Sequence, residues 1–215
     1  MQKSTSPIEY RRQLRVRIIE TAQHEFYKHG VVAVKMDDIA KILSISKRTM
    51  YEIFTNKEEL FLETSKKEFY EFDRHMSLYF EQNRNVIDNI LEFYRIKMRN
   101  ICSMSPSYFS DLHKFPRVTE WFRKQNEERQ VVHQRFFEEG IRQGFFRNDI
   151  DYKLMSEIGN AAMDYIMSHQ LYKRYSIVHL HRNVVMIFLR GICTIKGLET
   201  FDEKLTSVFD DEEKA

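Results

Sequence analysis

The feature that most constrains this chain is the helical period of its apolar residues, sustained almost from end to end with few breaks. Leu14, Ile18, Ala22 and Phe26 stand at four-residue steps, which puts them on one face of an α-helix. Only 6 glycines and 3 prolines punctuate the 215 residues. With so few turn-formers, long helices with short connections are favoured over many strands. No strand-type alternation of useful length competes with this pattern, and no internal repeat or low-complexity tract interrupts it. The expectation is an all-α fold of about nine helices.

The first helix ends at Gly30. A second short one covers Met36 to Leu43, with Asp37 and Asp38 in its first turn, where the positive end of the helix dipole favours acids. After the linker Ser44-Ile45-Ser46, a third begins with Ser46 as N-cap and runs from Lys47 to Phe54. Two short helices joined by a tight turn have the shape of a helix-turn-helix. Thr55-Asn56 breaks the third helix, and a fourth continues from Lys57 past Phe69, Phe72 and Met76 to Tyr79. A fifth carries Ile87, Ile90, Leu91, Tyr94, Met98 and Ile101. Pro106 and Pro116 bracket a short piece, and one long helix is expected from Val118 through Phe136 and Ile141, stopping at Gly144. The last two patterns run Leu154 to Tyr165 and Ile177 to Ile195; beyond Asp202 lies a charged tail whose final residues should fray.

Net charge is only +2, but its distribution is uneven. Residues 1–57 hold 11 Lys/Arg against 6 Asp/Glu, while the remainder holds 23 against 26. A basic front on an acidic remainder fits one module that meets a polyanion and another that does not. Cys102 and Cys193 have neither metal nor redox spacing, and both are expected as buried small hydrophobes in a reducing compartment. His179-x-His181 lies in an expected helix, where a two-residue offset splays the imidazoles apart. No metal or cofactor site and no catalytic constellation is expected. Met1 to Pro7 is polar and unlike a signal peptide, and the apolar run Val184 to Leu189 is far short of the roughly 20 residues a membrane span needs. The expectation is a soluble, cytoplasmic protein.

From Ala22 through Phe26 and Gly30 to the stretch Asp37-Asp38-Ile39-Ala40 … Lys47-Arg48-Thr49-Met50-Tyr51-Glu52-Ile53-Phe54 … Lys57-Glu58-Glu59-Leu60-Phe61, the sequence closely resembles the signature of the tetracycline-repressor (TetR) family. The spacing matches without gaps over that stretch, about the first third of the chain; beyond it only length, helix count and the turn Gly144-Phe145-Phe146-Arg147 are similar. The chain departs from the family at Ser44, often Gly; at Arg48, often Gly; and at Val34-Lys35, where Thr often precedes the second helix. These departures bear on the operator sequence rather than on DNA binding. The resemblance implies a helix-turn-helix DNA-binding domain over residues 1–70 and a helical effector-binding and dimerisation domain over 71–215.

A recognition helix needs short or cationic side chains at its N-terminal end, where base edges are reachable in the major groove. Ser46, Lys47, Arg48 and Thr49 occupy that end. Arg48 suits bidentate bonding to guanine O6 and N7, and Thr49 can offer a hydroxyl to phosphate or a methyl to thymine. The resemblance puts Tyr51 and Lys57 on backbone phosphates, and Lys35 adds a further cation nearby.

For the remainder, the resemblance implies a homodimer through the last two long helices, with Ile158, Ala161, Ala162 and Tyr165 on one stripe and Val184, Phe188, Gly191 and Ile195 on the other. It also implies a pocket for an unidentified small-molecule effector, for which Tyr94, Met98, Phe109, Trp121, Phe122, Phe137 and Asp164 are candidate lining residues. The same aromatic spacing also fits plain core. The expected function is a homodimeric repressor released from a palindromic double-stranded DNA operator by its ligand. The alternatives are a DNA-binding regulator without such an effector, acting as an activator or under a protein partner, and a helical interaction module whose helix-turn-helix is unused.

Overall fold

The computed structural model describes residues 6–82 and 84–212, with side chains to residue 205. The helical periods resolve, among these residues, into eleven α-helices and one 3-10 turn: α1 Pro7–His29, α2 Met36–Ile42, α3 Lys47–Ile53, α4 Lys57–Phe80, α5 Val86–Ser103, α6 Pro106–Leu112, α7 Pro116–Glu128, α8 Gln130–Arg142, α9 Tyr152–Ser168, the 3-10 turn Leu171–Lys173, α10 Ile177–Ile192 and α11 Ile195–Glu212. The fold is all-α as expected, with more helices than the nine or so anticipated. The long helix expected from Val118 to Ile141 breaks at Arg129, and the one expected to reach Ile195 ends at Ile192, because Cys193 turns into an extended conformation with ψ 145. No Gly or Pro marks the break at Arg129, and Gly191 lies inside α10 two residues before Cys193, so the helical period runs through both. The expected fraying of the last residues and the polar leader before Ser6 fall largely outside the described residues. Among the described residues no helix is long and apolar enough to cross a membrane.

The chain divides into two compact units. The first comprises residues 1–71 and 104–122, the second residues 72–103 and 123–215. Residues 104–122, beyond the boundary expected near residue 70, thus pack with the N-terminal helices.

In the first unit, the four-residue stripe of α1 is buried: Leu14, Ile18, Ala22 and Phe26 are at most 2% exposed. Ile39 and Ala40 of α2, Met50 of α3, Phe54, and Leu60 and Phe61 of α4 are buried as well. Phe61 is the hub, edge-on to Phe26 at 5.7 Å, Tyr108 at 5.9 Å and Phe115 at 5.1 Å. Each such ring contributes roughly 1.5–3 kcal/mol by leaving water. Gly30 ends α1 at φ 83, and a Cβ there would lie 2.8 Å from the Cβ of Ser107 and 2.9 Å from Asp111 Oδ2. Glycine is required both by the backbone and by the close approach of α6.

In the second unit, Val86, Ile87, Ile90 and Leu91 of α5 pack with Phe145, Phe146, Ile192, Cys193, Phe201 and Leu205. The connections α8–α9 and α10–α11 run side by side: Arg147 N–H donates to Ile192 O and Thr194 N–H to Phe145 O, both at 2.9 Å. The result is an isolated antiparallel bridge between Phe146 and Cys193. The bare backbone of Gly140 accepts the Phe146 ring, which would sit 1.9 Å from a Cβ. Cys193 is buried, and burial pushes its thiol up to about 11. Cys102, expected inside, is exposed, one turn past Met98, the last buried residue of α5.

Candidate nucleic-acid interface

Local chemistry shapes the helix-turn-helix. Asp38 Oδ2 accepts the N–H of Lys35 at 3.2 Å, closing the start of α2 without the hydroxyl cap that Val34-Lys35 lacks. The turn that follows puts Ser44 at φ 54, the left-handed region that glycine usually fills. Ser46 then caps α3, its Oγ accepting the N–H of Thr49 at 3.0 Å. The two hydroxyls of Ser46 and Thr49 are also bonded to each other at 2.8 Å. Asn56 Oδ1 caps α4 through the N–H of Glu59 at 2.9 Å.

The structure groups Ser46, Lys47, Arg48, Thr49 and Tyr51 on α3 and its cap. Lys47, Arg48 and Tyr51 are exposed, Thr49 is half-buried, and Met50 turns inward with no exposed area. Each cation has an acidic neighbour. Lys47 Nζ bonds Asp37 at 2.8 Å and lies 5.8 Å from the Tyr51 ring, and Arg48 Nε bonds Glu52 at 2.8 Å. Hydrogen bonding to those carboxylates raises the pKa of both cations, so both are charged near neutral pH. Lys35 is exposed beside α2.

Lys57, expected on a phosphate, lies against the connection between α1 and α2. Its Nζ donates to the carbonyls of Val32 at 2.9 Å and Val34 at 3.1 Å, inside the same unit. Desolvation lowers its pKa, partly offset by Asp111. In this structure it braces the α1–α2 connection. Sequence reading also missed three neighbours. Arg11 Nη2 donates to the carbonyl of Glu52 at 2.7 Å, Arg15 bonds Glu63 at 2.6 Å beneath the Phe54 ring, and Asp111 accepts the N–H of Val32 at 2.8 Å. The Arg48–Glu52 pair was legible as an i,i+4 spacing. The others join residues 41 to 79 positions apart and leave no local signal.

An exposed cationic helix end, held by a buried three-helix core, is the geometry of a DNA reader. The family of bacterial regulatory proteins called tetR matches residues 18–64. The chain carries a TetR-family DNA-binding domain. Over most of the chain the fold is similar to that of solved transcriptional regulators. One from Saccharomonospora viridis, in complex with choline, shares 18% identity over 85% of this chain and 99% of that one, with a TM-score of 0.67. One from Cytophaga hutchinsonii shares 18% identity over 85% and 99%, TM-score 0.65. A TetR-family regulator from Agrobacterium tumefaciens shares 12% over 86% and 100%, TM-score 0.65. No curated protein matches the sequence.

The candidate effector residues are divided between the units. Phe109, Trp121 and Phe122 belong to the first, where Trp121 packs 5.0 Å from Phe69. Tyr94, Met98, Phe137 and Asp164 belong to the second. Tyr94 and Met98 are buried on α5, Phe137 stacks on Tyr152 at 4.4 Å, and Asp164 is exposed on α9. Sequence reading missed the buried polar groups of the second unit. Burial works to raise the Glu92 carboxyl, but Arg95 and His75, at 2.7 and 2.6 Å, hold it below the usual value. His181 stacks 6.3 Å from Tyr94, and burial followed by nearby Lys97 lowers it to about 4. Asn89 Oδ1 and His181 Nδ1 are buried with no hydrogen-bond partner among the described residues.

Proposed function

We propose that this DNA-binding regulator is a homodimeric repressor that leaves a palindromic operator when a small molecule occupies its second unit. The observation that carries the proposal is the exposed Lys47-Arg48 end of α3, capped by Ser46 and backed by buried Met50. Arg48 is the residue assigned to a guanine edge, Thr49 to a thymine methyl or a phosphate, and Lys35 and Tyr51 to phosphates.

Dimerisation is supported by apolar surface left on adjacent helices. Ile158 and Tyr165 of α9 are 49% and 56% exposed, Ile187 of α10 is 70% and Ile195 is 77%. Ala162, Tyr165 and Val184 also line an open, mainly apolar groove of about 380 Å³. Covering this face with a second copy removes apolar surface from water, and a twofold pair presents two recognition helices about 34 Å apart, one turn of DNA. Effector control is supported by the buried polar atoms of Asn89 and His181, which a ligand carrying hydrogen-bonding groups would satisfy. The similarly folded regulator in complex with choline lends the same support.

The test is fluorescence anisotropy on DNA from upstream of the protein's own gene, with random DNA as competitor, at two salt concentrations. Salt-sensitive binding that survives the competitor and falls on adding a compound is the expected result. Specific binding that no compound alters would assign the chain to regulators without a small-molecule effector. Equal affinity for random and selected DNA would remove the operator reading. Sedimentation of Ile187→Asp tests the dimer separately, the expected outcome being a shift to monomer with helix content unchanged.

A further inference from the structure

Glu52 is out of place on simple electrostatic grounds. It lies in the last turn of α3, at the negative end of the helix dipole, where an acid is disfavoured. It is also exposed on the helix assigned to DNA, where a negative charge repels phosphate. The order of the pair compounds this. Arg48 precedes Glu52 by four residues, the weaker orientation for supporting a helix. Helix stability accounts for the residue only weakly, and general attraction to DNA does not account for it.

The contact itself does. Glu52 Oε1 accepts from Arg48 Nε at 2.8 Å. The guanidinium carries five N–H donors in a fixed plane, and engaging Nε leaves the two terminal nitrogens to point onward as a fork. That fork matches guanine O6 and N7. The backbone beneath Glu52 is anchored too, because its carbonyl accepts from Arg11 Nη2 at 2.7 Å. The side chain therefore projects from a point tied to α1. We propose that Glu52 is a positioning residue for base reading: it holds the Arg48 guanidinium edge-on to the groove, trading general affinity for discrimination of guanine. This inference rests on the assignment of Arg48 to a base edge.

The experiment selects binding sites from a randomised duplex pool with the full-length wild type, then measures affinities for the selected site, for variants at each base pair, and for random DNA. Arg48→Ala, Glu52→Ala and Glu52→Gln are compared, with far-UV circular dichroism to confirm folding. Arg48→Ala should erase the preference at one guanine. Glu52→Ala should reduce preference at that same base pair by about tenfold, within the range a bidentate base contact supplies. Its affinity for random DNA should be unchanged or higher. Glu52→Gln, which keeps an acceptor for Arg48 Nε, should retain most of the preference. The double variant should lose no more preference than Arg48→Ala alone.

An equal gain in affinity on every sequence, with preference intact, would show that Glu52 acts only through its charge and overturn the proposal. Lost preference at a base pair that Arg48→Ala leaves untouched would also overturn it, showing that Glu52 reads a cytosine amino group directly. If Arg48→Ala leaves all base preferences unchanged, the assignment of Arg48 fails, and the proposal with it.

Discussion

Asp111 accepts the N–H of Val32 at 2.8 Å, joining α6 to the connection between α1 and α2 across 79 positions of sequence. The carboxylate is buried, 4% exposed, and its other oxygen bonds Lys114 at 2.9 Å. Lys57 holds the carbonyl of the same Val32. The connection leading into α2 is thus fastened at both its N–H and its C=O.

Removing Asp111 should be felt as lost stability. A hydrogen bond to a charged group is worth roughly 1.5–3 kcal/mol when buried, so Asp111→Ala should lower the unfolding free energy by about that much. Trp121, the single tryptophan, packs in the same unit and reports the transition by fluorescence in a denaturant titration. Asp111→Asn keeps an acceptor for Val32 and should lose less. An alanine variant as stable as wild type would show that the clasp contributes nothing.

Lys35 and Lys57 should separate into different roles. Lys57→Ala removes two bonds to backbone carbonyls and should destabilise the protein by about 1–3 kcal/mol. Lys35 is exposed, so Lys35→Ala should leave unfolding unchanged while flattening the salt dependence of DNA binding by about one unit of slope per contact. Thermal melts and salt titrations of the two variants decide the matter. If Lys57→Ala melts like wild type and changes only the salt slope, its contribution is to DNA alone.

Ser44 occupies φ 54, a region that disfavours side chains by about 1–2 kcal/mol. Ser44→Gly relieves that strain but restores freedom to the unfolded chain, so the expected net gain is about 0.5–1 kcal/mol. A denaturation midpoint at or below that of wild type would mean that serine contributes compensating bonds in the turn.

The half-buried imidazole of His181, with its Nδ1 out of water, makes stability depend on pH. Its pKa is lowered to about 4 from 6.5, so between those values the unfolded chain holds a proton that the folded chain does not. Stability is therefore present above pH 6.5 and lost as pH falls from there towards 4. Between pH 7.5 and 5.0 the loss from this one group should be about 2 kcal/mol. His181→Phe should lack that increment. Equal losses in both proteins over the same range would exclude His181 as the source.

Much of the DNA-binding unit was legible in sequence because its signals are local. The stripe Leu14 to Phe26, the stop at Gly30 and the cap at Ser46 all depend on residues within a few positions of one another. The breaks at Arg129 and Cys193 were not legible, since helical periodicity continues across each. The candidate effector residues were chosen as aromatic and methionine side chains at helical spacing. That pattern equally describes core, and Phe109, Trp121 and Phe122 lie in a different unit from Tyr94, Met98 and Phe137.

The sequence by itself determined the all-helical period, the Ser46 cap and the cationic face of α3, because backbone propensity, hydrophobic period and N-capping act over one or two turns. Only the tertiary structure decided which unit residues 104–122 join and what Lys57 touches. It alone brought Arg11 to Glu52 and buried His181 beside Tyr94. Those outcomes depend on chain segments far apart in sequence, and on the penalty for leaving a buried donor, acceptor or charge without a partner, which exists only once the helices have packed.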